Sequence, residues 1–159
     1  MLGAPPLKFK KVLEIIKDDL QRVEETLKEN MCSEVSLIPV IGNYLSGIGG
    51  KRIRPILVLI SSKLCGYEGE KGIIHSCIVE FIHTATLLHD DVVDGSDLRR
   101  GHPSANVKWG NEASILVGDF LFSKSFSLMS RYSDNRIMQS LSKASVNMAE
   151  GEVLQLINS

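Results

Sequence analysis

The sequence lacks the features that mark membrane-spanning, disulfide-linked or nucleic-acid-binding proteins. No apolar run approaches the length needed to cross a bilayer, and the first residues, MLGAPPLKFKK, contain no apolar signal-peptide core. Cys32, Cys65 and Cys77 form no CxxC pair and are odd in number, which favours unpaired thiols in a reducing compartment. The net charge of −1 gives no electrostatic basis for binding nucleic acid or a membrane surface. We therefore expect a cytoplasmic protein without a nucleic-acid partner or a transmembrane segment.

The apolar residues follow a helical pattern along the chain. The sequence has 159 residues, of which 43% are hydrophobic, and this is enough for one domain with a core. Strand-like alternation, repeats, low-complexity tracts and linkers are absent from the sequence, so we predict an all-α fold. Helices are predicted over Phe9–Asn30, from Ser33 or Ser36 to about Gly47, over Ile56–Leu64, over Asn111–Tyr132 and over Asn135–Ile157. A further helix is predicted to end at Gly95.

The segment Glu80–His102 is the most informative part of the sequence. It contains five acidic residues, three histidines and two adjacent arginines, Arg99 and Arg100. An apolar stripe with helical spacing runs through its first half at Phe81, Ala85, Leu88 and Val92. One face of this helix is therefore predicted to be buried, and Gly95 is predicted to end the helix before the arginines.

Acidic side chains gather on another face of the same predicted helix. At 3.6 residues per turn, His83, Asp90 and Asp94 lie within roughly 40° of one another, and Asp91 lies about 60° farther round. Such carboxylates repel one another unless a cation neutralises them. Mg²⁺ is the expected cation, because it is usually held by one or two carboxylates together with substrate phosphates. The two arginines that follow have forked donors that suit the remaining phosphate oxygens.

The alternative interpretation of this segment is a solvated acidic helix end followed by a basic turn. That alternative must also account for the arginine pair and for the apolar run that leads into the acids. We therefore interpret the segment as a magnesium-diphosphate site.

Gly47–Pro55 is a second candidate for binding phosphate. Its glycines allow the backbone to approach an anion, and Pro55 suits the first turn of a helix while keeping Arg54 out of helical geometry. Cations beside a helix N-terminus would complete a phosphate cradle. A glycine cap, a helix start and a few solvated charges explain the same residues equally well.

Two later stretches carry polar residues in apolar surroundings. Asp119 lies within Ile115–Phe122, so we expect it to be buried and to need a partner. A structural hydrogen bond is the favoured role for Asp119, and a position near the acidic cluster is the second. Glu152 and Gln155 share a face of the last predicted helix.

Four motifs follow one another along the chain. They are GGKRIRP at Gly49–Pro55, FIHTATLLHDDVVDGSDLRRG at Phe81–Gly101, VGDFLF at Val117–Phe122 and AEGEVLQL at Ala149–Leu156. Together they resemble the N-terminal half of a trans-polyprenyl diphosphate synthase, most closely the long-chain bacterial octaprenyl type. The resemblance runs from about Gly42 to the end of the chain. It implies an antiparallel helical bundle of the isoprenoid synthase type, here a partial bundle with about six helices, and a homodimeric complete enzyme.

The resemblance also implies a reaction. An allylic diphosphate ionises with the help of Mg²⁺, isopentenyl diphosphate attacks the carbocation, and loss of a proton leaves a chain that is one isoprene unit longer. By motif position, the resemblance assigns the metal to Asp90, Asp91 and Asp94, with Asp90 and Asp94 as the direct ligands. Arg99 matches the residue that grips the allylic diphosphate.

The remaining roles are carried over in the same way. The residues that match the isopentenyl diphosphate positions are Lys51, Arg54, His83 and Arg100. His89 and His102 lack such a match and are assigned structural roles, and no protein side chain is nominated as the base.

Product length in this family depends on side-chain bulk before the aspartate motif. The position five residues upstream of the motif is Ala85, followed by Thr86, and both are small, which implies a long product. An aromatic residue at position 85 is therefore predicted to shorten the product. Ideal helix geometry places Thr86 nearer than Ala85 to the face of Asp90, so the role of Ala85 depends on the resemblance alone.

Members of this family are longer than this chain. We expect residues 1–159 to form the N-terminal half of a single all-α domain, with the second aspartate-rich motif beyond residue 159. The isolated chain should then be weakly active or inactive and should expose apolar helix faces. The competing hypothesis is a non-catalytic helical protein that binds diphosphates or serves as a partner subunit of a prenyl synthase. The intact acidic and arginine motifs favour the enzyme.

Overall fold

The computed structural model describes residues 9–158, which form eight α-helices joined by short connections. The helices are α1 (Phe9–Ile15), α2 (Lys17–Asn30), α3 (Leu37–Gly47), α4 (Ile53–Leu64), α5 (Lys71–Val93), α6 (Ala105–Trp109), α7 (Asn111–Tyr132) and α8 (Asn135–Asn158). Between α5 and α6, β1 (Leu98–Arg99) and β2 (His102–Pro103) form a two-stranded antiparallel ribbon. The predicted all-α class is confirmed.

The N-terminal helices differ in detail from the prediction. The helix predicted over Phe9–Asn30 is divided at Ile16, and α6 is a separate short helix, so the described residues contain eight helices rather than about six. Asp18 and Asp19 lie in the first turn of α2, where carboxylates stabilise a helix start. Ser36 does precede α3, but its side chain makes no capping hydrogen bond.

The start of α4 corrects the prediction for Arg54. Arg52 adopts a left-handed conformation, with φ 48° and ψ 34°, and the helix begins at the next residue. Pro55 then lies in the first turn, where its missing N–H leaves no intrahelical hydrogen bond unmade. Arg54 is therefore inside the helix, and the expectation that Pro55 keeps it out of helical geometry is wrong.

Helix α5 is the central helix of the described chain. It packs most extensively against α7 and also against α4 and α2. Phe81, Ala85 and Leu88 from its apolar stripe are buried, and Val92 is half-buried. Burial of a side chain as large as that of Phe81 contributes about 1.5 to 3 kcal/mol. The stripe therefore fixes which face of α5 remains available to the acidic residues.

Helix α7 begins and ends as predicted, but Asp119 does not lie in the core. Val117, Gly118 and Leu121 occupy the buried side of α7, and the side chain of Asp119 is 59% exposed. The expectation of a buried carboxylate is therefore wrong, because the apolar run around Asp119 is not buried on all sides.

Helix α8 contains no buried residue. Its exposed large apolar side chains are Met138, Val146, Met148, Val153, Leu154, Leu156 and Ile157. The helix contains the motif AEGEVLQL, and its exposure agrees with the expectation that apolar helix faces are left uncovered in this chain.

The three cysteines lie at different depths in the structure. Cys32 and Cys65 are exposed, Cys77 is buried, and all three are free thiols. No helix within residues 9–158 is both long enough and apolar enough to cross a membrane.

Candidate functional site

The end of α5 places three aspartates in different environments. Asp90 is half-buried, Asp91 is only 1% exposed, and Asp94 is exposed at the C-cap of the helix. Gly95 follows with φ +61°, the left-handed conformation that commonly ends a helix. The chain therefore turns away directly after the acidic residues, as the sequence predicts.

The carboxylate of Asp91 is paired with Arg99. The Nε atom of Arg99 lies 3.1 and 3.2 Å from the two carboxylate oxygens, and Nη2 also contacts Oδ1. The backbone carbonyl of Asp91 accepts hydrogen bonds from the Ser96 N–H at 2.9 Å and the Asn106 Nδ2 at 3.2 Å. Asp91 is thus engaged by the segment that follows α5, and its carboxylate is neutralised by Arg99.

The ribbon that carries the arginine pair is fastened at several points. Ser104 Oγ donates to the Ser96 carbonyl at 2.6 Å, and the hydroxyl of Tyr44 donates to the Pro103 carbonyl at 2.6 Å. Arg100, at the turn of the ribbon, has φ +53°, an uncommon conformation for a non-glycine residue. These contacts hold the turn so that Arg99 meets Asp91 while Arg100 reaches the glycine segment before α4.

The four residues assigned to isopentenyl diphosphate line one cleft. They are Lys51, Arg54, His83 and Arg100. The cleft has a volume of about 580 Å³, and its wall includes Gly49 and Gly50. A Cβ atom at Gly50 would lie 2.8 Å from Nη1 of Arg100, so glycine is what allows this guanidinium to lie against the backbone. Arg52 and Glu80, which pair with each other, also line the cleft. The cleft therefore gathers Lys51, Arg54 and Arg100 as three further permanent cations around one space, which suits a polyanion.

The protonation of His83 reflects this positive surrounding. Burial, followed by the positive charge of Arg54, lowers the pKa of His83 below its ordinary value of 6.5. Arg100 and Arg99 act in the same direction, and Glu80 opposes them. The imidazole is therefore neutral at pH 7 and can both donate and accept hydrogen bonds in the cleft.

The acidic side of the site carries an excess of negative charge. Burial, followed by the negative charges of Glu152 and Asp94, raises the pKa of Asp90, and Arg99 opposes the rise. Within residues 9–158, no group of three or more His, Cys, Asp and Glu side chains is arranged to hold a metal ion by itself. Two neighbouring carboxylates with excess negative charge do fit Mg²⁺, because water and substrate phosphates usually complete its octahedral shell.

Arg52 is a residue of the site that sequence reasoning missed. Its Nε lies 2.5 Å from Oε1 of Glu24 and its Nη1 lies 2.6 Å from Oε1 of Glu80, so it joins α2 and α5 to the glycine segment. Arg52 directly follows Lys51, and both line the cleft together with Arg54. The available signal was Glu80, a carboxylate on the buried side of a helix, which requires a partner.

The two residues assigned to product length have different surroundings. Ala85 is fully buried, whereas Thr86 is partly exposed and its hydroxyl donates to the His83 carbonyl at 2.9 Å. Farther along α5, a groove of about 930 Å³ is lined by Val79 together with Leu141 of α8. Val79, Thr86 and Asp90 lie on one face of an ideal helix, so this face leads from the acidic residues to the groove.

Comparison with known proteins agrees with these features. The family model described as polyprenyl synthetase matches residues 35–159. The chain is 43% identical over 152 residues to octaprenyl diphosphate synthase from Escherichia coli (strain K12), an alignment that covers 96% of this chain and 47% of that relative. The chain thus spans about half the length of the curated relatives it matches.

Solved structures give the same result. A decaprenyl diphosphate synthase from Rhodobacter capsulatus superposes with a TM-score of 0.90 at 47% identity, covering 94% of this chain and 46% of that one. A polyprenyl synthase from Caulobacter crescentus CB15, crystallised with calcium and isoprenyl diphosphate, has a TM-score of 0.90 at 41% identity, covering 97% and 47%. On the match to most of its length, and on these resemblances in sequence and fold, the chain belongs to the polyprenyl synthetase family.

Proposed function

We propose that this chain is the substrate-binding part of a prenyltransferase, a polyprenyl diphosphate synthase that makes long-chain trans products. Its substrates are isopentenyl diphosphate and an allylic prenyl diphosphate. The observation that carries the proposal is the cationic cleft of Lys51, Arg54, His83 and Arg100 beside the acidic end of α5. Two diphosphate sites of different chemistry, one made by cations and one by carboxylates, are what this condensation requires.

The carboxylate site is assigned to the allylic diphosphate. Asp90 and Asp94 would hold Mg²⁺, and the bound metal would neutralise charge on the departing diphosphate. Asp91 is assigned to orienting Arg99, because its carboxylate is already paired with that guanidinium. Arg99 lines a small pocket together with His83 and Arg100, and its remaining N–H groups can meet a phosphate oxygen. Ionisation breaks the allylic C–O bond, and the electron pair leaves with the diphosphate.

The cationic cleft is assigned to isopentenyl diphosphate. Its permanent positive charges suit a diphosphate without a metal, and neutral His83 can donate a further hydrogen bond. Holding this substrate beside the allylic carbon converts a bimolecular encounter into an oriented attack. The double bond of isopentenyl diphosphate attacks the carbocation, a C–C bond forms, and a proton is lost. None of the described side chains is assigned as the base for that proton.

The growing chain is assigned to the face of α5 that contains Thr86 and Val79. On an ideal helix this face runs from Asp90 past the small side chain of Thr86 to Val79, which lines the apolar groove. The resemblance assigns product length to Ala85 as well, although Ala85 packs inside the described core. We further propose that residues 1–159 correspond to the N-terminal half of one all-α domain, and that the complete enzyme is a cytoplasmic homodimer.

A chimera tests the proposed function. Residues 1–159 would be joined to the part of the E. coli octaprenyl diphosphate synthase that this chain does not match. With Mg²⁺, an allylic primer and radiolabelled isopentenyl diphosphate, the chimera should elongate the primer, whereas the isolated chain should be weakly active or inactive. Asp90→Asn in the chimera should abolish elongation. A folded chimera that binds both diphosphates yet forms no product would contradict the assignment and would favour a non-catalytic binding subunit.

A further inference from the structure

Sequence alone gives His89 a structural role, but its contacts connect it to the acidic end of α5. We propose that His89 is a positioning residue for Asp90 and that Gly118 serves to receive the imidazole ring of His89. This inference rests on the proposed function, because it assigns a purpose to the orientation of Asp90. It also gives a role to the VGDFLF motif, which lies outside the cleft and outside the acidic cluster.

The contact joins the end of α5 to the first half of α7. Nε2 of His89 lies 3.1 Å from the carbonyl oxygen of Ile115, so the imidazole N–H donates to a backbone acceptor on the neighbouring helix. The same nitrogen lies 3.4 Å from Oδ1 of Asp119. His89 immediately precedes Asp90, so this contact fixes the helix at the residue before the proposed metal ligand.

Gly118 leaves space beside α7 for the imidazole ring of His89. A Cβ atom at this position would overlap the imidazole of His89 and would lie 2.6 Å from Cδ2. Gly118 lies in the interior of α7, where glycine costs about 1 kcal/mol relative to alanine. At this position of the helix, any side chain would displace His89. Glycine at position 118 therefore lets the ring of His89 lie against the backbone of α7.

A second hydrogen bond makes the junction resistant to rotation. The hydroxyl of Ser114, which is fully buried, donates to the carbonyl of Leu88 at 3.1 Å. Leu88 and His89 are thus both bonded to α7 immediately before Asp90. Asp90 follows these two residues in the same helix, so a rotation of α5 at this junction would turn its carboxylate relative to Arg99, which lies on the ribbon. The direction of the Asp90 carboxylate is therefore set by α7.

Metal binding by the 159-residue chain tests the proposal. Mn²⁺ in the presence of inorganic pyrophosphate replaces Mg²⁺ and substrate, and free Mn²⁺ is followed by electron paramagnetic resonance. His89→Ala and Gly118→Ala should each weaken Mn²⁺ binding by about 10- to 100-fold, the range found when residues that orient metal ligands are removed. His89→Gln should retain most of the affinity, because its amide nitrogen can reach the Ile115 carbonyl. Gly151→Ala is the matched control, since a Cβ atom there meets nothing within 4 Å.

A double variant separates positioning from general stability. His89→Ala should remove the overlap in Gly118→Ala and restore its unfolding midpoint, but it should not restore Mn²⁺ affinity. Unchanged Mn²⁺ affinity in His89→Ala, or full recovery of affinity in the double variant, would overturn the proposal.

Hydrogen exchange distinguishes failure of this inference from failure of the proposed function. A wild-type chain that binds no Mn²⁺ with pyrophosphate would contradict the proposed metal site. The inference is then decided by amide exchange at residues 90–94. Faster exchange in His89→Ala that is reversed in His89→Gln supports positioning by His89, and identical exchange in all three chains refutes it.

Discussion

Arg99 donates hydrogen bonds to both carboxylate oxygens of Asp91, a residue that is only 1% exposed. Arg99→Ala would leave that carboxylate buried without its partner, so we expect a loss of about 3 to 5 kcal/mol in the free energy of unfolding. Asp94→Ala removes an exposed carboxylate and should change the free energy of unfolding by about 0.5 kcal/mol or less. Urea denaturation of both variants provides the measurement. Similar losses in the two variants would show that the Asp91–Arg99 pair is not part of the folded core.

Gly50 and Arg100 should behave as a coupled pair. Gly50→Ala places a Cβ atom 2.8 Å from Nη1 of Arg100, so the guanidinium must shift, and the loss of its position in the cleft should weaken binding of isopentenyl diphosphate. In an Arg100→Ala background the same change should have little further effect. Calorimetric titration of the wild type, both single variants and the double variant gives the coupling. Additive losses would indicate that Gly50 acts through something other than Arg100.

The lowered pKa of His83 predicts a dependence of stability on pH. In the unfolded chain His83 becomes protonated near pH 6.5, whereas in the folded chain burial and Arg54 keep it neutral to a lower pH. The unfolded state then binds more protons, so the free energy of unfolding should fall as the pH drops below about 6.5. Between pH 7.5 and 5.5 the wild type should lose more stability in urea denaturation than His83→Gln. Equal losses would contradict a lowered pKa.

The two residues assigned to product length should differ when they are enlarged. Thr86→Phe narrows the proposed path without entering the core, so in the chimera it should shorten the product, as measured by chromatography. Ala85→Phe is also predicted by resemblance to shorten the product, but its full burial predicts destabilisation of about 1 to 3 kcal/mol through overpacking as well. An unchanged product from a stable Thr86→Phe chimera would remove Thr86 from the path.

The sequence predicts those helix ends that depend on residues near them in the chain. The apolar period and the terminal signals gave α7 its observed limits of Asn111–Tyr132, and Gly95 gave the end of α5. The site residues Lys51, Arg54, His83 and Arg100 were found by motif, and the structure brings them to one cleft.

The remaining features depend on contacts between distant parts of the chain. Asp90 and Asp91 differ by about 100° on the helix, and only the path of the later ribbon decides which of them meets Arg99. The ion pairs of Arg52 join residues that are 28 positions apart, and no local pattern encodes such pairing. Asp119 was misjudged because an apolar stretch does not reveal which of its sides another helix will cover.

The most direct test of the two-site account is calorimetric titration of the 159-residue chain with isopentenyl diphosphate, with Mg²⁺ and with a chelator. The account predicts binding that does not need Mg²⁺, that is unaffected by Asp94→Asn, and that weakens about tenfold or more in Lys51→Ala through loss of a charge-assisted contact. Binding that requires Mg²⁺ and disappears in Asp94→Asn, or no binding to the wild-type chain, would contradict it.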